Sequence, residues 1–564
     1  MNKLLFGDNL GWLRKRENGL PVFPDACVDL IYLDPPFNSN ADYNVLFRED
    51  SGEASQAQFH AFTDTWNWAD AAPAYTEFIE TCENSIAVDM LEALHSFLKT
   101  SPMMAYLAMM SPRLVELHRV LKPTGSLYLH CDATASHYLR MLLDGIFGKE
   151  NFRNEIIWKR RSGHSSGVKT SNKFGSTTDS LLFYGKSDEN YFKQIYSLEK
   201  AEDYIKERFI YHDGDGRLYR RSPLNNPADR PNLKYEYNGY SPPPNGWAVS
   251  REVMEQMEKE GRLYFPADKT QRIQRKMFLD EYKGQPIQNL WTDIPFVNPV
   301  AKERLGYPTQ KPQALLERII EVSCPANGVV FDPFCGCGTT VHAAQKLKRQ
   351  WIGIDVTYLA INLIKERLND AFPHGSVEFE ERGQPTDFAS AKALAELDKW
   401  QFQQWALSLI RARPLKEGAG KGADRGVDGF LAFYDHPAAA EKLSGKKMAI
   451  PRRKILVQVK GGHTDRGDVA KLLGDVNNQK FAAGVLITLE KPTKPMRIEA
   501  ADAGSYKVHV RENGEAIEAS FPKIQILSVE KLMDGTEHLK APPRINLFAK
   551  AEIEDVSGKQ THLI

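Results

Sequence analysis

Residues 328–355 read strand, glycine loop, helix, strand, and that order restricts the surrounding fold to a parallel sheet. The run 328–332 (GVVFD) is short and apolar, 339–347 carries helical patterning, and 351–355 (WIGID) is a second apolar run. Two parallel strands need a crossover, and a helix of this length supplies one. The loop itself is Phe331-Asp332-Pro333-Phe334-Cys335-Gly336-Cys337-Gly338-Thr339-Thr340. Glycines at the carboxyl end of a strand let a ligand approach the backbone. Asp355 ends the following strand, where a carboxylate can bond ribose hydroxyls. A dinucleotide site is the rival reading, but the third glycine of that pattern is missing near Thr340.

A second buried strand is legible at 28–33 (VDLIYL), an almost continuous apolar run stopped by Asp34-Pro35-Pro36-Phe37. Leu107, Met110, Leu114, Leu117 and Leu121 recur at steps of three and four and mark a helix face. Gly125 is read as a break, with 126–131 (SLYLHC) the next strand. Met103, Met104, Met109 and Met110 at this spacing read as core packing rather than a ligand surface. The α/β rhythm fades over 158–300, which holds the basic cluster Lys159, Arg160, Arg161, then Lys169 and Lys173, turn-rich segments, and Tyr235, Tyr237 and Trp247. Basic side chains neutralise phosphates, and aromatics stack bases or fill small cores.

The chemistry of Asp34-Pro35-Pro36-Phe37 can be argued from its atoms. An aryl amine delocalises its lone pair into the ring and is a poor nucleophile. A carboxylate on Asp34 and the fixed carbonyl of Pro35 can each accept one amino hydrogen, which frees the lone pair for attack. The two prolines stiffen the acceptors, and Phe37 offers a face for a base extruded from a duplex.

With these motifs the chain resembles the amino-methylating DNA methyltransferases in which the catalytic tetrapeptide precedes the cofactor motif. The resemblance runs over about residues 1–370. Gly7-Asp8-Asn9-Leu10 matches the opening element, with Asp8 near the cofactor adenine. Leu121-Lys122-Pro123-Thr124-Gly125-Ser126 with Leu129-His130-Cys131-Asp132 matches the next helix–strand element. Tyr307-Pro308-Thr309-Gln310-Lys311-Pro312 matches the segment packed on the methionine end of the cofactor. It implies a Rossmann-like α/β sheet that binds S-adenosyl-L-methionine through Asp8, Thr309, Gln310, Lys311, Asp332, Phe334, Gly336, Gly338, Thr339 and Asp355. It also implies catalysis by Asp34, Pro35, Pro36 and Phe37 on double-stranded DNA. An Asp-headed tetrapeptide resembles the N6-adenine members, and N4-cytosine is the alternative. C5-cytosine chemistry needs a cysteine nucleophile after proline, and the chain has no Pro-Cys dipeptide.

Residues 397–545 resemble restriction-endonuclease-like domains of α/β type. Asp428, then Gln458 and Lys460 on the alternating strand 455–460 (ILVQVK), occupy the positions of the nuclease triad. There two carboxylates hold Mg2+, here through Asp428, and a lysine helps activate water. Gln458 departs from the acidic residue of the pattern, and Glu417 or Asp424 could compensate. An active nuclease would join modification to restriction; a degenerate scaffold would serve DNA or partner binding, or the methyltransferase half would serve a defence nuclease mainly as a recognition module.

The resulting division is a catalytic half 1–157, an inserted recognition region 158–300, a cofactor half 301–370, a linker 371–396, the nuclease-like domain 397–545 and a polar tail 546–564. Lysine plus arginine and aspartate plus glutamate both number 73, so only local clusters such as Lys159, Arg160 and Arg161 speak for DNA. Six scattered cysteines at no zinc spacing fit buried thiols in a reducing compartment. No run approaches a membrane span, and a cytoplasmic protein is expected. A homodimer or a restriction-system partner is the expected companion.

Overall fold

A computed structural model describes the chain apart from residues 37–66, 161–174, 198–200, 299–300, 306, 308, 374, 415–426, 436–451, 513–514, 544–550, 552 and 555–564. It divides into two compact units, the first built from 1–192 and 289–557, the second centred on 193–288.

The first unit is organised by nine strands: β1 (Asn2–Phe6), β2 (Val28–Leu33), β3 (Leu121–Cys131), β4 (Phe152–Lys159), β5 (Thr178–Gly185), β6 (Leu290–Trp291), β7 (Val329–Asp332), β8 (Gln350–Asp355) and β9 (Phe379–Arg382). Their order across the sheet is β6-β4-β5-β3-β2-β7-β8-β1-β9. The centre is parallel, with Leu30 and Ile31 of β2 beside Val330 and Phe331 of β7. β5 runs antiparallel to both β3 and β4. Every residue of β2 is buried, as a strand covered on both faces requires. From β2 the chain proceeds to β3 on one side, and from β7 to β8 on the other. The strand order therefore reverses between β2 and β7, and ligands of open α/β sheets bind at the carboxyl ends of such a pair.

Helix α1 (Asn9–Arg14) follows β1, and α2 (Pro102–Val120) lies under the sheet. Ser101 caps α2 at Met104, and thirteen of its nineteen residues are buried. Met103, Met104 and Met110 lie in this core, as their spacing implies. The break expected at Gly125 falls elsewhere: α2 ends at Val120 and β3 starts at once, with a register shift where it pairs β2. The cofactor half adds α3 (Gln313–Ser323), α4 (Thr339–Lys346) and α5 (Tyr358–Ala371).

Two expected boundaries move. Residues 371–396 are no linker, because β9 extends the sheet beside β1 and helix Phe388–Leu397 follows. The insertion is narrower than 158–300, since β5 and β6 are strands of the main sheet. What separates is 193–288, with a four-stranded antiparallel sheet of Leu263–Tyr264, Gln274–Phe278, Leu218–Pro223 and Tyr211–His212. Trp247, Tyr237 and Met254 are buried in its own core, so those aromatics pack this unit.

Within the first unit, residues 413–528 form a five-stranded sheet in the order Arg413–Pro414, Gly429–Tyr434, Arg452–Lys460, Ala483–Thr488, Ile524–Ser528. The last three are mutually parallel. Among the described residues no helix is long and apolar enough to cross a membrane.

Candidate active site and cofactor pocket

Asp34 leaves the carboxyl end of β2 beside the loop that leaves β7. Its Oδ2 accepts a 2.5 Å bond from Nζ of Lys311, and both side chains are largely withdrawn from solvent, 17% and 12% exposed. Lys311 comes from the 307–312 segment, so that segment reaches the tetrapeptide rather than only flanking the cofactor. Pro35 is buried and Pro36 half-buried. Phe37 lies outside the described residues.

Beneath Asp34 runs a buried polar chain. The Tyr32 hydroxyl meets Nδ1 of His130 at 3.0 Å, and Nε2 of His130 meets Oδ2 of Asp179 at 3.2 Å. Burial pushes the imidazole's pKa down and the Tyr32 phenol's well up, so both are neutral near pH 7. Arg160 forms an ion pair with the other Asp179 oxygen at 3.2 Å. Lys159 is exposed, and Arg161 lies outside the described residues.

The glycine loop turns as its composition suggests. Gly336 and Gly338 have φ of +49° and +72°, a region costly for side-chain-bearing residues. A Cβ on Gly338 would meet Ile364 Cγ1 at 2.6 Å. The Asp355 carboxylate fixes the loop by accepting from the Gly336 N–H at 2.9 Å, and from Thr357 N–H and hydroxyl at 2.9 and 2.7 Å. Asp332 is 3% exposed and accepts from the Phe334 N–H. Burial, reinforced by Asp34 and Asp355, raises its pKa to about 7.

Other expected cofactor residues have structural partners. Gln310 closes its own loop, accepting from the Leu305 N–H and donating to the Glu303 carbonyl. The Thr339 hydroxyl accepts from Arg367, behind the loop. Thr309 occupies left-handed backbone at φ +57°. Asp8 caps α1 through Gly11 and pairs with Arg113 at 2.5 Å, while its side chain stays about half exposed.

Asn9 and Arg113 brace the start of the glycine loop, although neither is expected to from its motif role. Asn9 Nδ2 donates to the Pro333 carbonyl at 2.9 Å, and Arg113 Nε donates to Asn9 Oδ1 at 2.7 Å. The place of Asn9 in the opening element is a visible signal; Arg113, inside a helix, carries none.

Asp8, Asp332 and Asp355 thus join Asp34 in the surroundings of the glycine loop, with Lys311 the cation paired to Asp34. Carboxylates gathered around a left-handed glycine turn at the carboxyl ends of parallel strands fit a nucleoside bearing hydroxyls and a positive sulfonium, so these residues suit S-adenosylmethionine.

In the C-terminal sheet the triad positions are turned to structural ends. Asp428 Oδ2 accepts from the Val459 N–H at 2.6 Å. Gln458 is 2% exposed and donates to Asp475, and Lys460 pairs with Asp468 at 3.4 Å. Among the described residues no three His, Cys, Asp or Glu side chains are grouped to hold a metal ion. The expected Mg2+ at Asp428 therefore finds no support; Glu417 and Asp424 lie outside the described residues.

Comparison with known proteins agrees with both readings. A family model described as DNA methylase matches residues 28–366, and one described as NACHT-associated inactive Restriction Endonuclease 1 matches residues 446–533. The Type II methyltransferase M.EcaI of Enterobacter cloacae is 31% identical over 265 residues, 47% of this chain and 57% of that protein. The StyLTI Mod subunit of Salmonella typhimurium, from a type III restriction-modification enzyme, is 28% identical over 62% of this chain and 50% of its own. The DNA adenine methyltransferase YhdJ of Escherichia coli is 24% identical over 66% of this chain and 85% of its own. The chain thus spans about half the length of the first two of these relatives. Among solved structures, the putative DNA modification methylase TTHA0409 of Thermus thermophilus, complexed with S-adenosyl-L-methionine, is 14% identical, covers 68% of this chain and 99% of its own, and has a TM-score of 0.32. Since the matched residues 28–366 hold both the Asp34 tetrapeptide and the glycine loop and exceed half of the chain, the protein belongs to the DNA methylase family.

Proposed function

We propose that the chain transfers a methyl group from S-adenosylmethionine to the exocyclic amino nitrogen of a base in double-stranded DNA, N6 of adenine. The observation that carries this reading is the placement of the Asp34 carboxylate at the strand-order reversal, one strand from the glycine loop. When bound, the cofactor supplies an electrophilic methyl on sulfur. Asp34 accepts a hydrogen bond from the amino group, the Pro35 carbonyl accepts a second, and the proton that the nitrogen sheds as its bond to the methyl carbon forms passes to water. Lys311 holds the Asp34 carboxylate in place, so little reorganisation is left for the reaction. The base is drawn out of the duplex, because a stacked amino group is unreachable.

The adenine assignment is supported by the Asp-headed tetrapeptide and by a relative named as an adenine methyltransferase. The Mod-subunit relatives support a restriction-subunit partner. The C-terminal domain is read as a non-cleaving scaffold for DNA or that partner, because its triad residues are spent on internal bonds.

The test is incubation of the full chain with labelled cofactor and unmethylated genomic DNA, then digestion to nucleosides. Label in N6-methyladenine supports the reading; label in N4-methylcytosine overturns the base assignment, and no label in DNA overturns the whole.

A further inference from the structure

The glycine loop is braced from behind by a residue far along the chain. Glu554 stands beyond the nuclease-like domain, yet its carboxylate is only 15% exposed. Its Oε1 accepts from Gln313 Nε2 at 2.7 Å and His342 Nε2 at 2.9 Å, and its Oε2 pairs with Lys346 at 3.1 Å. Its own N–H donates to the Ala371 carbonyl at 2.7 Å. One residue therefore ties the start of α3, the flank of α4 and the end of α5, and Ala551 adds an apolar contact beside Tyr307, Leu305 and Cys337.

The bonds continue inward. His342 Nδ1 accepts from Arg367 Nε at 2.8 Å, and Arg367 Nη1 donates to the Cys337 carbonyl at 3.2 Å and to the Thr339 hydroxyl at 3.1 Å. A guanidinium can only donate, so Nδ1 must be the bare nitrogen and Nε2 must carry the hydrogen given to Glu554. The series has a single polarity, Arg367 to His342 to Glu554, and a protonated imidazole would break it. Burial favours the neutral ring, whose pKa falls to about 4.

We infer that Glu554 is a positioning residue for cofactor binding, setting the glycine loop through His342 and Arg367. This rests on the reading that the loop binds S-adenosylmethionine. Arg367 is 2% exposed, and its bonds to Cys337 and Thr339 fix the peptide between Gly336 and Gly338 and the first turn of α4. Losing the Glu554 acceptor releases the imidazole to turn, and Arg367 then loses the partner that aims it.

Calorimetric titration of the full chain with S-adenosylhomocysteine tests this, using Glu554→Ala, Glu554→Gln, Arg367→Lys and the Glu554→Ala/Arg367→Lys pair, with binding of a DNA duplex measured beside it. Glu554→Ala should weaken cofactor-product binding roughly five- to fiftyfold, the scale of one lost charge-assisted bond, and leave duplex binding unchanged. Glu554→Gln, which keeps an acceptor for His342, should recover most of that loss. The pair should lose less than the product of the single changes. Parent-like binding by Glu554→Ala, equal losses for cofactor product and duplex, or strict multiplication in the pair would each overturn the inference. Should the unaltered chain fail to bind S-adenosylhomocysteine, the cofactor reading fails instead.

Discussion

Nζ of Lys311 lies 2.5 Å from Oδ2 of Asp34, joining residues 277 positions apart. Under the proposed reaction the Asp34 carboxylate accepts a bond from the amino group of the base. Asp34→Ala should lower methyl transfer by about a hundred- to a thousandfold, the order found when one pre-aimed electrostatic group is removed. S-adenosylhomocysteine should bind within about threefold of the parent. Single-turnover label incorporation and calorimetry check the two halves of this statement.

Lys311→Met should separate aiming from bonding. Asp34 remains, but it loses the charge that holds it, so kcat should fall about a hundredfold while the KM for DNA stays put. Breaking a withdrawn pair by removing one partner also destabilises, here by about 3 kcal/mol. Steady-state kinetics and urea unfolding distinguish the effects; an unchanged kcat would remove Lys311 from the catalytic geometry.

Asp332 gives a pH signature. The folded chain keeps its proton up to pH about 7, whereas the unfolded carboxyl releases it near its ordinary 3.8. The folded state thus binds more protons in this window, and the group's contribution to stability falls as pH rises from about 4 to 7. Asp332→Asn mimics the neutral form and should be a few kcal/mol more stable than the parent at pH 8, with no difference at pH 4. Urea midpoints of the cofactor-free chain at both values decide it.

Gly338→Ala places a Cβ at 2.6 Å from Ile364 Cγ1 and forces φ of +72° on alanine. A loss of about 2 kcal/mol is expected, together with weaker cofactor binding. Adding Ile364→Ala should relieve only the collision, so thermal melting of the pair should stay below that of Ile364→Ala alone.

For the C-terminal domain, the unaltered chain should leave unmethylated supercoiled plasmid intact in the presence of excess Mg2+, the ion that two-carboxylate nuclease sites use. Gel conversion to nicked or linear forms that disappears in Lys460→Ala would restore the nuclease reading.

The sequence is most legible where structure is local. The run at 28–33 is a strand with those ends, and Gly336 and Gly338 take the left-handed backbone their residue type suggests. Both follow from neighbours in the chain. The contacts that finish the site are long-range: Lys311 to Asp34, Arg113 to Asn9, and Glu554 to His342. Nothing in local periodicity reports such pairings. Residues 371–396 mislead for a related reason, since β9 is a charged edge strand, FEER, with no apolar pattern to announce it. Gln310 and Thr339 show the reverse case, motif positions whose side chains serve the loop's own shape.

The pairing of β2 with β7 also has a consequence for biosynthesis. The strand bearing Asp34 leaves the ribosome roughly 300 residues before its neighbour, about 15 to 60 s at ordinary elongation rates. During that interval its apolar flank has no parallel mate on that side, which invites chaperone capture. The glycine loop can therefore settle beside Asp34 only late in translation, and the Glu554 brace on that loop is added later still.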